Sequence, residues 1–166
     1  VYAFITPSEF LKKKLALNGF DEKRIHCIPT FTASKTTIGE PQIGSYGLYF
    51  GRVTEEKGVE TVIKAYEKLP EYTVKIMGDD TTDEAKRLKK YVKDHKMKNV
   101  EFLGFKSGEE LEDIIKGARF TLIPSIWYDN LPNTALESFQ YSKPVIASNI
   151  GSLPELVIDW ENGYFF

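Results

Sequence analysis

Short apolar runs alternate with amphipathic stretches along most of this chain. Residues 47–50, 73–77, 100–103, 120–123 and 145–147 are apolar-rich runs of strand length, the pattern of strands covered on both faces. Between them, 58–68, 83–95, 108–118 and 134–141 space their apolar positions at three and four, the helical interval. Strand and helix take turns. That order predicts an α/β fold, a Rossmann-like parallel sheet sandwiched by helices and joined by right-handed crossovers. Local chemistry marks two boundaries: Ser107 followed by Glu110 reads as a capping box, and Pro144 closes a helical pattern just before the strand at 145.

The first 29 residues repeat the theme on a smaller scale. Phe4-Ile5-Thr6 leads into a Pro7-Ser8 turn, a helix to about residue 17 and a short strand at 25–28. Residues 30–44 hold Ser, Thr, Gly and Pro with little apolar periodicity, and read as an exposed loop. The expected organisation is a single compact domain, with a leading β-α-β segment over 1–29, the loop over 30–44 and the main α/β unit over 45–166. With no initiator Met and an apolar Phe165-Phe166 pair at its end, the chain is expected to be a fragment of a longer one.

Composition narrows the function classes. A chain of 166 residues buries a core without disulfide or metal staples. Its 42% hydrophobic and 28% charged residues are those of a globular protein, and a net charge of -2 offers no field for gripping nucleic acid. Cys27 is the only cysteine, so no intrachain disulfide forms, and no Cys/His cluster suggests zinc. A reducing, cytoplasmic compartment is expected. No apolar run approaches the roughly 20 residues that cross a bilayer.

Ligands of open parallel sheets bind beyond the carboxyl ends of the strands, where loops lead into helix N-termini. Three such loops carry unusual residues. Gly51-Arg52-Val53-Thr54-Glu55-Glu56-Lys57-Gly58 places a guanidinium and an ammonium at a strand-to-helix turn, a sensible clamp for a diphosphate. The same spacing also fits a solvated turn in which Arg52 and Lys57 pair with Glu55 and Glu56. It is not a P-loop, because the Walker glycine spacing is absent.

The second loop, Pro124 to Thr134, carries Asp129 and runs into a helix that carries Glu137. Free N–H groups between the two acids suit a phosphate or a sugar hydroxyl, and the carboxylates suit neutral hydroxyls. Equally, Thr134 and Glu137 form a capping-box pattern, and Trp127 and Tyr128 fit a core. The third loop, Ser148 to Glu155, is a Gly-containing turn with an acid on a short helix, and is weak evidence alone. Gly78-Asp79-Asp80 after a strand fits a metal or phospho-acceptor site, or merely a helix start. His26 and His95 have no partner pattern.

In combination the loops resemble the C-terminal domain of retaining GT-B glycosyltransferases, glycosyltransferase family 4. Gly51-Arg52 with Lys57-Gly58 is similar to that family's G-R-x-x-x-x-K-G loop. Asp129 to Glu137, followed by Lys143-Pro144-Val145-Ile146-Ala147-Ser148, Gly151 and Glu155, resembles its E-x7-E region. Asp129 stands where the family normally has Glu. The resemblance implies a hexosyltransferase-type enzyme of polysaccharide or glycolipid biosynthesis, which moves a sugar with retention from a UDP- or GDP-sugar to an acceptor hydroxyl.

It further implies catalytic roles for Arg52, Lys57 and Asp129, and donor binding by Gly51, Arg52, Lys57, Asn130, Leu131, Pro132, Asn133, Thr134 and Glu137. Arg52 and Lys57 would take the diphosphate, Glu137 the ribose hydroxyls, and N–H groups from Leu131 to Thr134 the sugar and distal phosphate. No cofactor and no metal are implied, since the cations serve in place of one. The acceptor glycan or glycolipid, and any peripheral membrane contact, would fall to an N-terminal domain outside this chain. The fragment alone is then expected to bind donor weakly and to be inactive. Other readings are a non-catalytic nucleotide-sugar module and a receiver-like domain phosphorylated on Asp79 or Asp80. Base recognition is expected near Gly78 and Gly104 to Lys106.

Overall fold

The computed structural model describes residues 2–32 and 43–166. Most of the loop expected over 30–44 lies outside them. The leading segment forms β1 (Phe4–Thr6), α1 (Glu9–Leu17) and β2 (Ile25–Cys27), with β1 and β2 paired in parallel as a small sheet of their own. Ser8 starts α1 as its N-cap, its hydroxyl accepting the Leu11 N–H at 3.1 Å.

The main unit follows the order β3 (Tyr46–Phe50), α2 (Val59–Glu67), β4 (Thr73–Met77), α3 (Asp83–Asp94), β5 (Val100–Gly104), α4 (Gly108–Gly117), β6 (Ala118–Ile123), α5 (Asn133–Gln140), β7 (Val145–Ala147) and β8 (Gly163–Phe165). Its six strands lie in the order β5-β4-β3-β6-β7-β8, and every pairing is parallel. This is the mixed α/β architecture expected from the alternating pattern.

Side-chain alternation shows how the sheet is clothed. Tyr49, Val74 and Ile76 pack with Val62 and Ile63 of α2 and Leu88 of α3. Leu48, Phe50 and Met77, one position out of step, pack with Ile115 of α4. Ile123, Val145 and Ala147 meet Ala135 of α5. Thr121, two residues from Ile123 and so on the same face, bonds Ser138 of α5 through their hydroxyls at 2.8 Å. Right-handed crossovers account for this arrangement: α2 and α3 carry the chain one way along the sheet, α4 and α5 the other.

Three details differ from expectation. Residues 163–165 form a sixth strand that the pattern did not mark, because the three residues that pair with β7 are too few to show a period. Ser107 stands at the N-cap of α4 without a side-chain cap bond, and the Glu110 carboxylate, the other half of the expected capping box, pairs with Lys106 at 2.6 Å. α5 begins one residue earlier than expected, with Pro132 at its N-cap and no side-chain cap, so the Thr134/Glu137 capping box does not form. Among the described residues, no helix is long and apolar enough to cross a membrane.

Candidate functional site

The chain leaves β3 for β4 and β5 on one side, then returns to β6 on the other. Strand order therefore reverses between β3 and β6, the place where open α/β sheets bind ligands. The loops leaving those two strands, 51–58 and 124–132, face each other there.

Loop 51–58 is held from several sides. Gly51 N–H donates to Met77 O at 3.0 Å, and the Tyr49 hydroxyl donates to Arg52 O at 2.5 Å. Burial, together with the charges of Asp129 and Glu56, raises the Tyr49 pKa and keeps that phenol a donor. A 3-10 turn at Glu55–Lys57 ends on Gly58, which adopts φ +68°. A Cβ there would lie 1.9 Å from Pro124 O, and Ile126 N–H reaches Glu56 O at 3.0 Å. The two loops therefore meet backbone to backbone.

In the facing loop, Asp129 is 8% exposed. Its Oδ1 accepts from Lys57 Nζ at 2.6 Å and from Trp127 Nε1 at 3.3 Å, and its Oδ2 accepts from Ser125 Oγ at 2.5 Å. Lys57 thus pairs across the cleft with Asp129, not with Glu55 or Glu56. Trp127 and Tyr128 are 47% and 62% exposed and are not core. Leu131 adopts φ +52°, an uncommon state for a branched residue. Ser152 holds it there, accepting the Leu131 N–H at 2.6 Å and donating to Asp129 O at 2.8 Å.

The cleft itself has two lobes. One, of about 340 Å³, is lined by Arg52, Gly78, Asp79, Lys106, Thr134 and Glu137 among others. The other, of about 190 Å³, is lined by Lys57, Ser125, Asp129, Pro132 and Asn133. Phe50, Gly51, Arg52 and Thr134 are common to both. Arg52, Lys57, Asp129 and Glu137, distant in sequence, therefore border one crevice. Arg52 is exposed, and neither it nor Glu137 forms an ion pair or hydrogen bond with another described side chain.

Two of the expected site residues point elsewhere. The Asn130 side chain turns to α1, its Oδ1 accepting from Ser8 Oγ at 3.2 Å, because α1 packs against this loop. The Leu131 N–H is taken by Ser152, so it is not available to a ligand. Ser125 and Ser152, which anchor Asp129 and Leu131, were not singled out in the sequence; a lone Ser four or more residues from its partner leaves no motif. Glu155 of the third loop lies outside the cleft. Its carboxylate accepts the Glu9 and Phe10 N–H groups at 2.8 and 2.6 Å and caps α1.

Asp79 accepts from the Thr81 N–H and hydroxyl at 3.0 and 2.6 Å, and Asp80 pairs with Lys89 at 2.5 Å. Lys89 belongs to α3, whereas a receiver-like site needs its Lys on a strand end. Among the described residues, no group of three or more His, Cys, Asp or Glu is placed to hold a metal ion.

Glu137 carries an electrostatic signature. Burial raises its carboxyl above the ordinary 4.5. A raised carboxyl binds its proton more readily folded than unfolded, so stability falls as pH climbs from the ordinary value to the raised one and stays reduced above it. Glu137→Gln is expected to raise the thermal midpoint at pH 7, with no gain below about pH 4. A gain of equal size at both pH values would show that the carboxylate carries no such penalty.

The family model described as Glycosyl transferases group 1 matches residues 34–166. An uncharacterized glycosyltransferase of Methanocaldococcus jannaschii is 32% identical over 119 residues, covering 72% of this chain and 33% of that protein. Glycogen synthase of Mycobacterium tuberculosis is 30% identical over 151 residues, covering 88% of this chain and 34% of its own length. Among solved structures, Anabaena HepE in complex with UDP and glucose shares the fold with a TM-score of 0.85 at 20% identity, over 100% of this chain and 49% of HepE. The chain thus spans about a third of the length of these curated relatives and about half of HepE. The chain belongs to the glycosyl transferases group 1, a family of GT-B type.

Proposed function

We propose that the cleft binds a nucleoside diphosphate sugar, and that the chain is the C-terminal, donor-binding part of a retaining, family 4-like glycosyltransferase. The observation that carries this reading is that an unengaged cation, Arg52, and an unengaged half-buried acid, Glu137, line one cleft at the point where strand order reverses. The half-buried Glu137 carboxylate is left without a partner at a cost, Arg52 stands exposed and free to take an anion, and a ligand that brings both an anion and hydroxyls engages both. A nucleoside diphosphate is such a ligand. HepE, which shares the fold, binds UDP and glucose.

In this reading Arg52 and Lys57 hold the two phosphates and Glu137 accepts the ribose hydroxyls. The bond from the anomeric carbon to the distal phosphate oxygen breaks, the acceptor oxygen bonds that carbon on the same face of the sugar, and the acceptor's hydroxyl proton passes to the departing diphosphate. Charge develops on the departing diphosphate, and the two cations stabilise it more as the bond opens than before. The Asn133 and Thr134 N–H groups at the uncapped start of α5 add a positive dipole end beside it. The acceptor would be held by a part of the enzyme outside this chain, so this fragment is expected to bind donor without transferring sugar.

Titration calorimetry of the chain with UDP, GDP, uridine and guanosine tests the reading. One diphosphate is expected to bind at least about tenfold more tightly than its nucleoside, the worth of one charge-assisted contact. No binding of either diphosphate at millimolar concentration would remove the proposal.

A further inference from the structure

We infer that Asp129 is a positioning residue that sets the place and charge of Lys57 and makes no contact with the transferred sugar. The inference rests on the donor-site reading above. A carboxylate offers about four lone-pair sites. Three of those on Asp129 are filled from within the protein, by Lys57, Trp127 and Ser125. Only 11% of the side chain is exposed, so little of the group remains for a sugar hydroxyl.

Lys57 gains what Asp129 gives up. A lysine ammonium on its flexible stem is strongly hydrated and samples many positions unless something holds it. Here its side chain is 18% exposed, its Nζ sits 2.6 Å from Asp129 Oδ1, and it lies 5.7 Å from the centre of the Trp127 ring. An ammonium has three protons to donate, and Asp129 takes one. The remaining protons belong to a cation fixed in the same lobe as Arg52, Asn133 and Thr134. Asp129 also offsets part of the Lys57 charge, leaving Arg52 as the cation of the cleft without an acid partner among the described residues.

Two opposing effects on diphosphate binding follow, and two substitutions separate them. Asp129→Asn keeps an oxygen for Lys57, turns its amide to donate to Ser125 and removes the negative charge. It is expected to tighten binding of the nucleoside diphosphate by roughly three- to tenfold at low salt, with a steeper salt dependence than wild type. Asp129→Ala frees Lys57 and is expected to weaken the same diphosphate. In both variants the ratio of affinities for the sugar nucleotide and the bare diphosphate should equal that of wild type.

The experiment is calorimetry with UDP, GDP and their glucose conjugates at two salt concentrations, with the thermal midpoint of each variant recorded. If both variants leave the diphosphate unchanged and lose the sugar nucleotide, Asp129 contacts the sugar and the inference is overturned. Weakening of the diphosphate to the same degree by Asn and Ala also overturns it, since the charge then plays no part. Should Arg52→Ala leave diphosphate affinity at the wild-type value, the donor-site reading itself fails and takes this inference with it. Because Asn is close in shape to Asp, the test stands even if the Ala variant does not fold.

Discussion

Replacing Arg52 by alanine is expected to weaken nucleoside diphosphate binding by roughly 10- to 100-fold while leaving the free nucleoside within about twofold, the loss of one charge-assisted contact to phosphate. Arg52 suits this measurement better than Lys57 does. Its guanidinium is exposed, lines both lobes of the cleft and pairs with no acid among the described residues, so its removal leaves no buried charge behind. The thermal midpoint should therefore stay near that of wild type. Lys57→Ala also weakens the diphosphate, but it strands the buried Asp129 carboxylate, a loss of about 3–5 kcal/mol in comparable cases. Calorimetry with diphosphate and nucleoside in parallel distinguishes a phosphate contact from a general loss of shape. Equal affinity of wild type and Arg52→Ala for the diphosphate would contradict the assignment.

Gly58→Ala is expected to destabilise the chain by at least about 3 kcal/mol, read from denaturant unfolding. Part of the cost is local, since φ +68° costs an L-residue about 1–2 kcal/mol. The larger part is steric, because the added carbon falls 1.9 Å from Pro124 O and must push the two cleft loops apart. Gly108→Ala provides the control. Gly108 has φ +60° but nothing within 4 Å of an added carbon, so only the conformational part applies. If the two variants lose the same stability, the contact between the loops is not tight. Because Ile126 N–H bonds Glu56 O beside this point, Gly58→Ala should also disturb the spacing of Lys57 and Asp129 and weaken the diphosphate.

Much of the fold was legible before any coordinates. The apolar runs at 73–77 and 145–147 coincide with β4 and β7, and the helical spacing at 83–95 ends one residue beyond α3. Buried strands need apolar side chains on both faces and surface helices need one apolar stripe, and those demands act within a few residues. The strand at 163–165 was not legible. Three residues are too few to show a period, and their pairing is decided by β7, which lies nearly twenty residues earlier.

The candidate site divides along the same line. From the sequence came the residue types and their places at strand ends: two cations on one loop, an acid on another, a second acid on the helix that follows. Tertiary structure alone decided their partners. Lys57 had acids one and two residues away, yet it pairs with Asp129 across 72 positions, because parallel pairing of β3 with β6 sets the two loops side by side. Asn130 was expected in the cleft and turns to Ser8, because α1 packs against its loop. Periodicity reports what each residue is next to along the chain, whereas an ion pair forms with whichever charge lies within a few ångströms in space. That distance is set by the order of strands in the sheet, which no local pattern contains.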